Sequence, residues 1–217
     1  MRIVGEIGSF ISMTQHQIDL LKRRILNGEK IPHGEKIHSL FEPHTEWISK
    51  GKAGKSQELG VRVAVAEDEN GFLIGWRVMF GETDEKVTTI MAKELKKKYP
   101  SINMFSFDKG FYTPDNKKEL EELVDNAILP KKGALNAKEK EQISRSEYIK
   151  FRHKHSRIES AINAVENHEL DRCRNHGKEG FERYVGIAIV ARNVLQIGRF
   201  VQRRLIEKEK RCLRIAS

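Results

Sequence analysis

The chain predicts a mixed α/β fold, a small sheet with both antiparallel and helix-linked strands and helices on its faces. Three observations lead there. Val61, Val63 and Val65 alternate with Arg62, Ala64 and Ala66, and Asn70-Gly71 and a second apolar run, Phe72 to Phe80, follow. That is a hairpin pattern, with glycine supplying positive φ at the turn. Two short apolar runs, Met104 to Phe107 and Ala127 to Pro130, enclose a helical pattern. The last third then carries long amphipathic stretches with helical spacing.

Taken in order, residues 14–28 read as a basic amphipathic helix. Ile18, Leu20, Leu21 and Ile25 cluster, Lys22, Arg23 and Arg24 stand apart, and Asn27-Gly28 closes it. Residues 31–60 hold Pro, Gly and three His and read as irregular, with Lys50, Lys52 and Lys55 along a glycine-containing loop. After the hairpin, Thr83 or Asp84 caps a helix whose apolar positions are Val87, Ile90, Met91 and Leu95. Lys93, Lys96, Lys97 and Lys98 suit its negative end, and Pro100 stops it.

The strand from Met104 ends at Asp108. Thr113-Pro114 is a cap followed by proline at the first helical position, and that helix runs to about Asn126 with Leu120, Leu123 and Val124 inward. Lys131-Lys132-Gly133 ends the next strand, and residues 134–145 read as a polar loop. A long helix is expected over 146–168, with Tyr148, Phe151, His155, Ile158, Ile162 and Val165 as its core stripe. Another is expected over 180–209, burying Phe181, Tyr184, Val185, Ile189, Val194, Leu195 and Val201.

The composition narrows the partners. Lys and Arg number 40 against 31 Asp and Glu, a net charge of +9 and a pI near 9.5. Such a surplus favours a polyanion, nucleic acid first, although charge alone leaves a basic protein without such a partner equally open. The two cysteines, Cys173 and Cys212, have no zinc-like spacing and read as free thiols in a reducing cytoplasm. No apolar run approaches ~20 residues, so no membrane span is expected. The N-terminus lacks a signal-peptide layout.

Two carboxylates can carry chemistry. Asp108 sits where a strand ends, with Ser106 on the same face, and strand ends of α/β sheets are where ligands bind. Asp before Lys-Gly is also an ordinary turn sequence. Glu159 shares one helix face with Arg152, Asn163 and Glu166, a set able to hold a metal and phosphate oxygens, or else a solvated face. His155 is four residues from Glu159 but falls on the core stripe. Gly51-Lys52-Ala53-Gly54-Lys55-Ser56 ends like a phosphate-binding loop without its spacing or its strand–helix context. No Ser/His/Asp arrangement stands out.

An ordered set of short motifs resembles the DDE transposases of bacterial insertion sequences, in their ISNCY-type branch. The matching stretches are Gly28 to Lys36, Phe41 to Lys52, Ser106 to Tyr112 and Leu129 to Gly133. They continue with His155 to Asn163, Leu170 to Cys173, Gly180 to Val185 and Ala191-Arg192-Asn193, so the resemblance spans roughly residues 15–205. It implies a ribonuclease-H-like fold and a triad of two Asp and one Glu holding two Mg²⁺ (or Mn²⁺) ions for phosphodiester cleavage and strand transfer.

By the resemblance, Asp108 is the second acid and Glu159 the third, both catalytic and metal-binding. Lys109, Arg152, Arg157, Lys131, Lys132, Lys50 and Lys52 are expected along the DNA backbone. The family's first acid lies on the first strand of the sheet, and no strand-borne Asp occurs before residue 60. The expectation is therefore the C-terminal part of a transposase. It comprises an N-terminal helical remnant over 1–33 and a ribonuclease-H-like catalytic domain over 34–209, lacking its first strand and inactive alone. Expected partners are the element ends and target DNA, further copies of the chain or an intact transposase. The expected place is the cytoplasm, at the nucleoid. A DNA-binding or transposase-binding modulator without activity, and a stand-alone nuclease of the same fold, are the alternatives.

Overall fold

A computed structural model describes residues 2–49, 57–131, 158–167 and 172–216. The chain divides into two compact units, Met1–Arg62 and Val63–Ser217.

The first unit begins with α1, Arg2–Ile25. The helix is longer than the 14–28 expected from sequence. Gly5, Gly8, Ser9 and Ser12 are weak helix formers, but apolar residues at three- and four-residue intervals carry the helix across them. It ends before Gly28, whose φ of 65° suits only glycine at little cost. Leu20 is buried, whereas Ile18, Leu21 and Ile25, expected inside with it, are exposed. Arg23 in the last turn forks onto Glu29 (Nε–Oε2 2.9 Å) and reaches Glu35 (Nη1–Oε2 2.6 Å). These hydrogen bonds raise the pKa of Arg23 and lower that of Glu29.

Residues 31–49 and 57–60 are more ordered than their composition suggests. A short 3₁₀ turn, His33–Glu35, precedes β1 (Glu46–Ser49), which pairs antiparallel with β2 (Gln57–Gly60). Trp47 lies opposite Leu59 in that ladder. The rings of His33, His38 and Trp47 cluster in tilted and edge-on contacts with centroids 5.4–6.3 Å apart. This hairpin was not legible, because four-residue strands carrying Glu46, Ser49, Gln57 and Glu58 show no strong alternation.

The second unit holds the expected hairpin, β3 (Arg62–Glu67) and β4 (Leu73–Met79). Asp68 rather than Asn70 organises the connection. Its Oδ1 accepts from Asn70 N (2.9 Å) and Phe72 N (2.8 Å), and Gly71 follows at φ 85°. Helix α2, Asp84–Lys98, buries Val87, Thr88, Met91, Ala92 and Leu95, and leaves Ile90 exposed. A Cβ on Gly75 would fall 2.8 Å from Leu95 Cδ2, so β4 approaches α2 closely at that point.

Strand β5 (Met104–Ser106), helix α3 (Pro114–Leu123) and strand β6 (Asn126–Ile128) form a parallel β–α–β unit with Phe105 paired to Ala127. Its core is Ala92, Leu120 and Leu129, packed by Phe105, Phe107 and Phe111. A separate cluster of Ala64, Met79, Val87 and Met91 binds the β3–β4 hairpin to α2.

Of the helix expected over 146–168, residues 158–167 are described and are helical (α4), with Ala161 and Val165 buried. Ile162, expected on the core stripe, is exposed. Tyr148, Phe151 and His155 lie outside the described residues.

The last helix, α5, runs Gly177–Ala216. It docks on β4 through Val185, Ala188 and Ile189, and a Cβ on Gly186 would lie 3.3 Å from Trp76. Val194, Leu195 and Val201, expected in the core, are exposed, because they lie off the helix face on which Val185, Ala188, Ile189 and Arg192 are buried. No described helix but α5 reaches the length and hydropathy of a membrane span. Its most apolar 18 residues have mean hydropathy 1.2 and are 22% buried. α5 meets that criterion by length and composition only.

The fold is mixed α/β with small sheets and a long C-terminal helix. The described strands form two-stranded sheets, β1–β2, β3–β4 and β5–β6, rather than one continuous sheet.

Candidate functional site

Asp108 follows β5 directly and is the N-cap of the 3₁₀ turn Lys109–Phe111. Its Oδ1 accepts from Lys109 N at 2.7 Å, which leaves its other oxygen outside the cap. Asp108 and Lys109 are both exposed. A turn this short has little stability of its own, so its position depends on what holds it.

Buried polar groups of α2 and α3 supply that hold. Thr88, fully buried on α2, donates from its hydroxyl to Asp84 O at 2.8 Å and lies 3.2 Å from Phe111 O. Asn116 Nδ2 donates to Phe111 O (3.0 Å) and to Glu85 O (2.7 Å). Thr113 Oγ1 accepts from Asn116 N at 3.0 Å and caps α3, as the Thr-Pro pair predicts. Gly110 completes the contact, since a Cβ there would come 2.8 Å from Asp84 Oδ2. The rings of Phe107 and Phe111, 5.6 Å apart, close the apolar side. The backbone carrying Asp108 is thus fixed to two helices.

Sequence reasoning missed Thr88 and Asn116. Both read as ordinary helix residues, and only the tertiary fold brings them to the Phe111 carbonyl.

A cavity of about 560 Å³ lies between β3 and β5. Ala64 to Glu67 line one wall, Met104 to Phe107 another, Met91 and Leu95 the base, and Ile158 of α4 also contributes. Phe107 immediately precedes Asp108, and Ile158 immediately precedes Glu159. The elements that carry the two expected acids therefore meet at one cavity, although neither carboxylate lines it. Glu159 is exposed. Its neighbour Asn163 accepts from Asn167 Nδ2 at 3.4 Å.

Lys131 is half-buried just beyond β6. Lys50, Lys52, Lys132, Arg152 and Arg157 lie outside the described residues, so the expected phosphate contacts rest on position in the sequence for those five. Glu46, read from sequence as a loop residue, starts β1, and its Oε2 lies 3.7 Å from Arg62 Nη2.

Mg²⁺ is commonly held by one or two carboxylates and several waters, so Asp108 and Glu159 are a chemically adequate pair for one ion. Among the described residues no group of three or more His, Cys, Asp or Glu converges as a metal site.

One buried cation has no carboxylate partner among the described residues. Arg192 is 7% exposed, its Nε has no hydrogen-bond partner among the described residues, and Nη1 reaches only Gln196 Oε1, at 3.3 Å. Compared with protein-family models, curated proteins and solved structures, the chain matches none.

Proposed function

We propose that this chain is part of the ribonuclease-H-like catalytic domain of a DNA transposase. In this reading Asp108 and Glu159 hold a divalent cation, and Lys109, Lys131 and the basic residues near them in sequence hold DNA phosphates. The first acid of the triad comes from a strand that completes the sheet, so the chain alone binds DNA but does not transfer strands.

The observation that carries this reading is the cavity between β3 and β5. Each of these strands pairs on one side with a single described neighbour, β4 or β6, and both line the same cavity. One inserted strand would join the hairpin and the parallel unit into a mixed sheet. It would also bring its end beside Asp108, because Phe107 lines that cavity. Arg192 adds support, since its buried guanidinium has no carboxylate partner among the described residues and such burial is costly.

The test is Mg²⁺ and Mn²⁺ titration, with terminal-repeat DNA binding and strand transfer measured on the same protein. Metal binding lost in Asp108→Asn and Glu159→Gln, with DNA binding and no strand transfer, is expected. Robust magnesium-dependent strand transfer by the chain alone would overturn the incomplete-site reading. Absence of both metal and DNA binding would overturn the whole proposal.

A second reading is a DNA-binding modulator without catalysis. The capping role of Asp108 favours it, because that role alone accounts for an aspartate there. DNA binding insensitive to both magnesium and Asp108→Ala would select it.

A further inference from the structure

Helix α1 has two faces of different kind. One is tied to its own unit: Leu20 is buried, the rings of Phe10 and Phe41 are 5.8 Å apart, and His16 Nε2 lies 3.0 Å from Glu35 O. Arg23 reaches Glu35 from the same side. The other face is a stripe at alternating three- and four-residue steps. Val4, Ile11, Ile18 and Ile25 fall at heptad position a, and Ile7, Thr14 and Leu21 at position d. All seven are exposed, the six apolar ones by 41% to 74%.

A strict a/d stripe over three heptads is the seam by which one helix packs against another. A helix lying on a membrane carries a wider apolar face with basic flanks. Here the flanking e and g positions are Gly8, Phe10, Gln15, Gln17, Lys22 and Arg24, so charge is confined to the last turn. Gly5 and Gly8 have open space around them, so a second backbone can approach closely.

We infer that α1 pairs with α1 of a second copy of this chain, as a two-stranded antiparallel coiled coil. β-Branched residues stand at every a position, and d holds Ile7, Thr14 and Leu21. The uncharged flanks of the first two heptads impose no charge rule there that would exclude a like copy. Lys22 and Arg24, both at the C-terminal end, stay apart when the helices run in opposite directions. The 24 residues give a seam about 36 Å long. Its apolar surface, roughly several hundred Å² per copy, reaches the size that marks an interface. Thr14 is a polar layer in the seam, which weakens the pair but helps fix its register. The inference does not depend on the metal or DNA reading.

The test is sedimentation equilibrium of the full chain from about 1 to 100 μM, a range that brackets ordinary dimer affinities. A mass twice the 25.1 kDa of one chain is expected. Ile11→Glu with Ile18→Glu should weaken association by about 100-fold, since each buries an unpaired charge. Ser9→Glu, exposed and outside the a/d seam, should leave it unchanged. The far-UV circular dichroism of each variant reports whether the body still folds. A monomer at the highest concentration, a trimer, or a dimer indifferent to the double substitution would overturn the proposal. With Cys173 and Cys212 changed to Ser, Val4→Cys should not cross-link two copies; efficient cross-linking would overturn the antiparallel arrangement.

Discussion

Asn193 makes both backbone hydrogen bonds of Leu73, 120 residues earlier in the chain. Its Oδ1 accepts from Leu73 N and its Nδ2 donates to Leu73 O, each at 2.9 Å. A side-chain amide thereby takes the place of a neighbouring strand at the start of β4, and Gln196 Nε2 adds a bond to Asn70 O at 2.8 Å. Removing this amide leaves two half-buried backbone groups unsatisfied. Asn193→Ala should cost about 1–3 kcal/mol and lower Tm by several degrees. Asn193→Asp should also destabilise, because a carboxylate cannot donate to Leu73 O. Thermal unfolding by circular dichroism measures both.

Leu120 is fully buried between Ala92 and Leu129. Truncation to Ala removes its packing and leaves a void between α2 and the β5–β6 pair. The expected loss is about 2–5 kcal/mol. A chemical denaturation midpoint within error of the unsubstituted protein would show that α3 does not pack there.

Arg192 should behave in the opposite way. Its buried guanidinium carries a desolvation cost that its one long bond to Gln196 does not offset. Arg192→Met should raise the stability of the isolated chain by about 1 kcal/mol or more. If a completing polypeptide supplies a partner for Arg192, the same substitution should weaken that association. Unfolding curves with and without the added polypeptide separate the two effects.

His38 gives the first unit a pH dependence. Burial lowers its pKa first, with the charges of His33 and Lys36 acting in the same direction. The folded state therefore takes up the proton less readily than the unfolded chain. Stability is full above the ordinary histidine pKa, near 6.5, and falls as pH drops through that value toward the folded one. Unfolding followed by Trp47 fluorescence between pH 7.5 and 5 should show this loss, and His38→Gln should flatten it. Because Trp76 also fluoresces, the measurement needs a Trp76→Phe background.

Much of the second unit was legible. Thr113-Pro114 marks the start of α3, Pro100 the end of α2 and the valine alternation β3, because each rests on local chemistry that survives any tertiary setting. What failed rests on neighbours. Asp68 displaced Asn70 as the organiser of the β3–β4 turn. Val194 and Val201 lie roughly half a turn around the helix from Val185, so they fall on the face of α5 that stays exposed while Val185, Ala188, Ile189 and Arg192 share the buried one. At the candidate site, Asp108 and its cap were readable. The clamp by Thr88 and Asn116 was not, since nothing in either residue's local sequence points to the Phe111 carbonyl.

The separation between Leu73 and Asn193 also constrains how the protein is made. Translation at ~5–20 residues per second leaves β4 waiting about 6–24 seconds for its amide partner. Through that interval the nascent hairpin presents Leu73 and a bare β4 face with Trp76 and no α5 over it. The molecule's period of greatest exposure to mispairing or to chaperones falls before its last helix emerges.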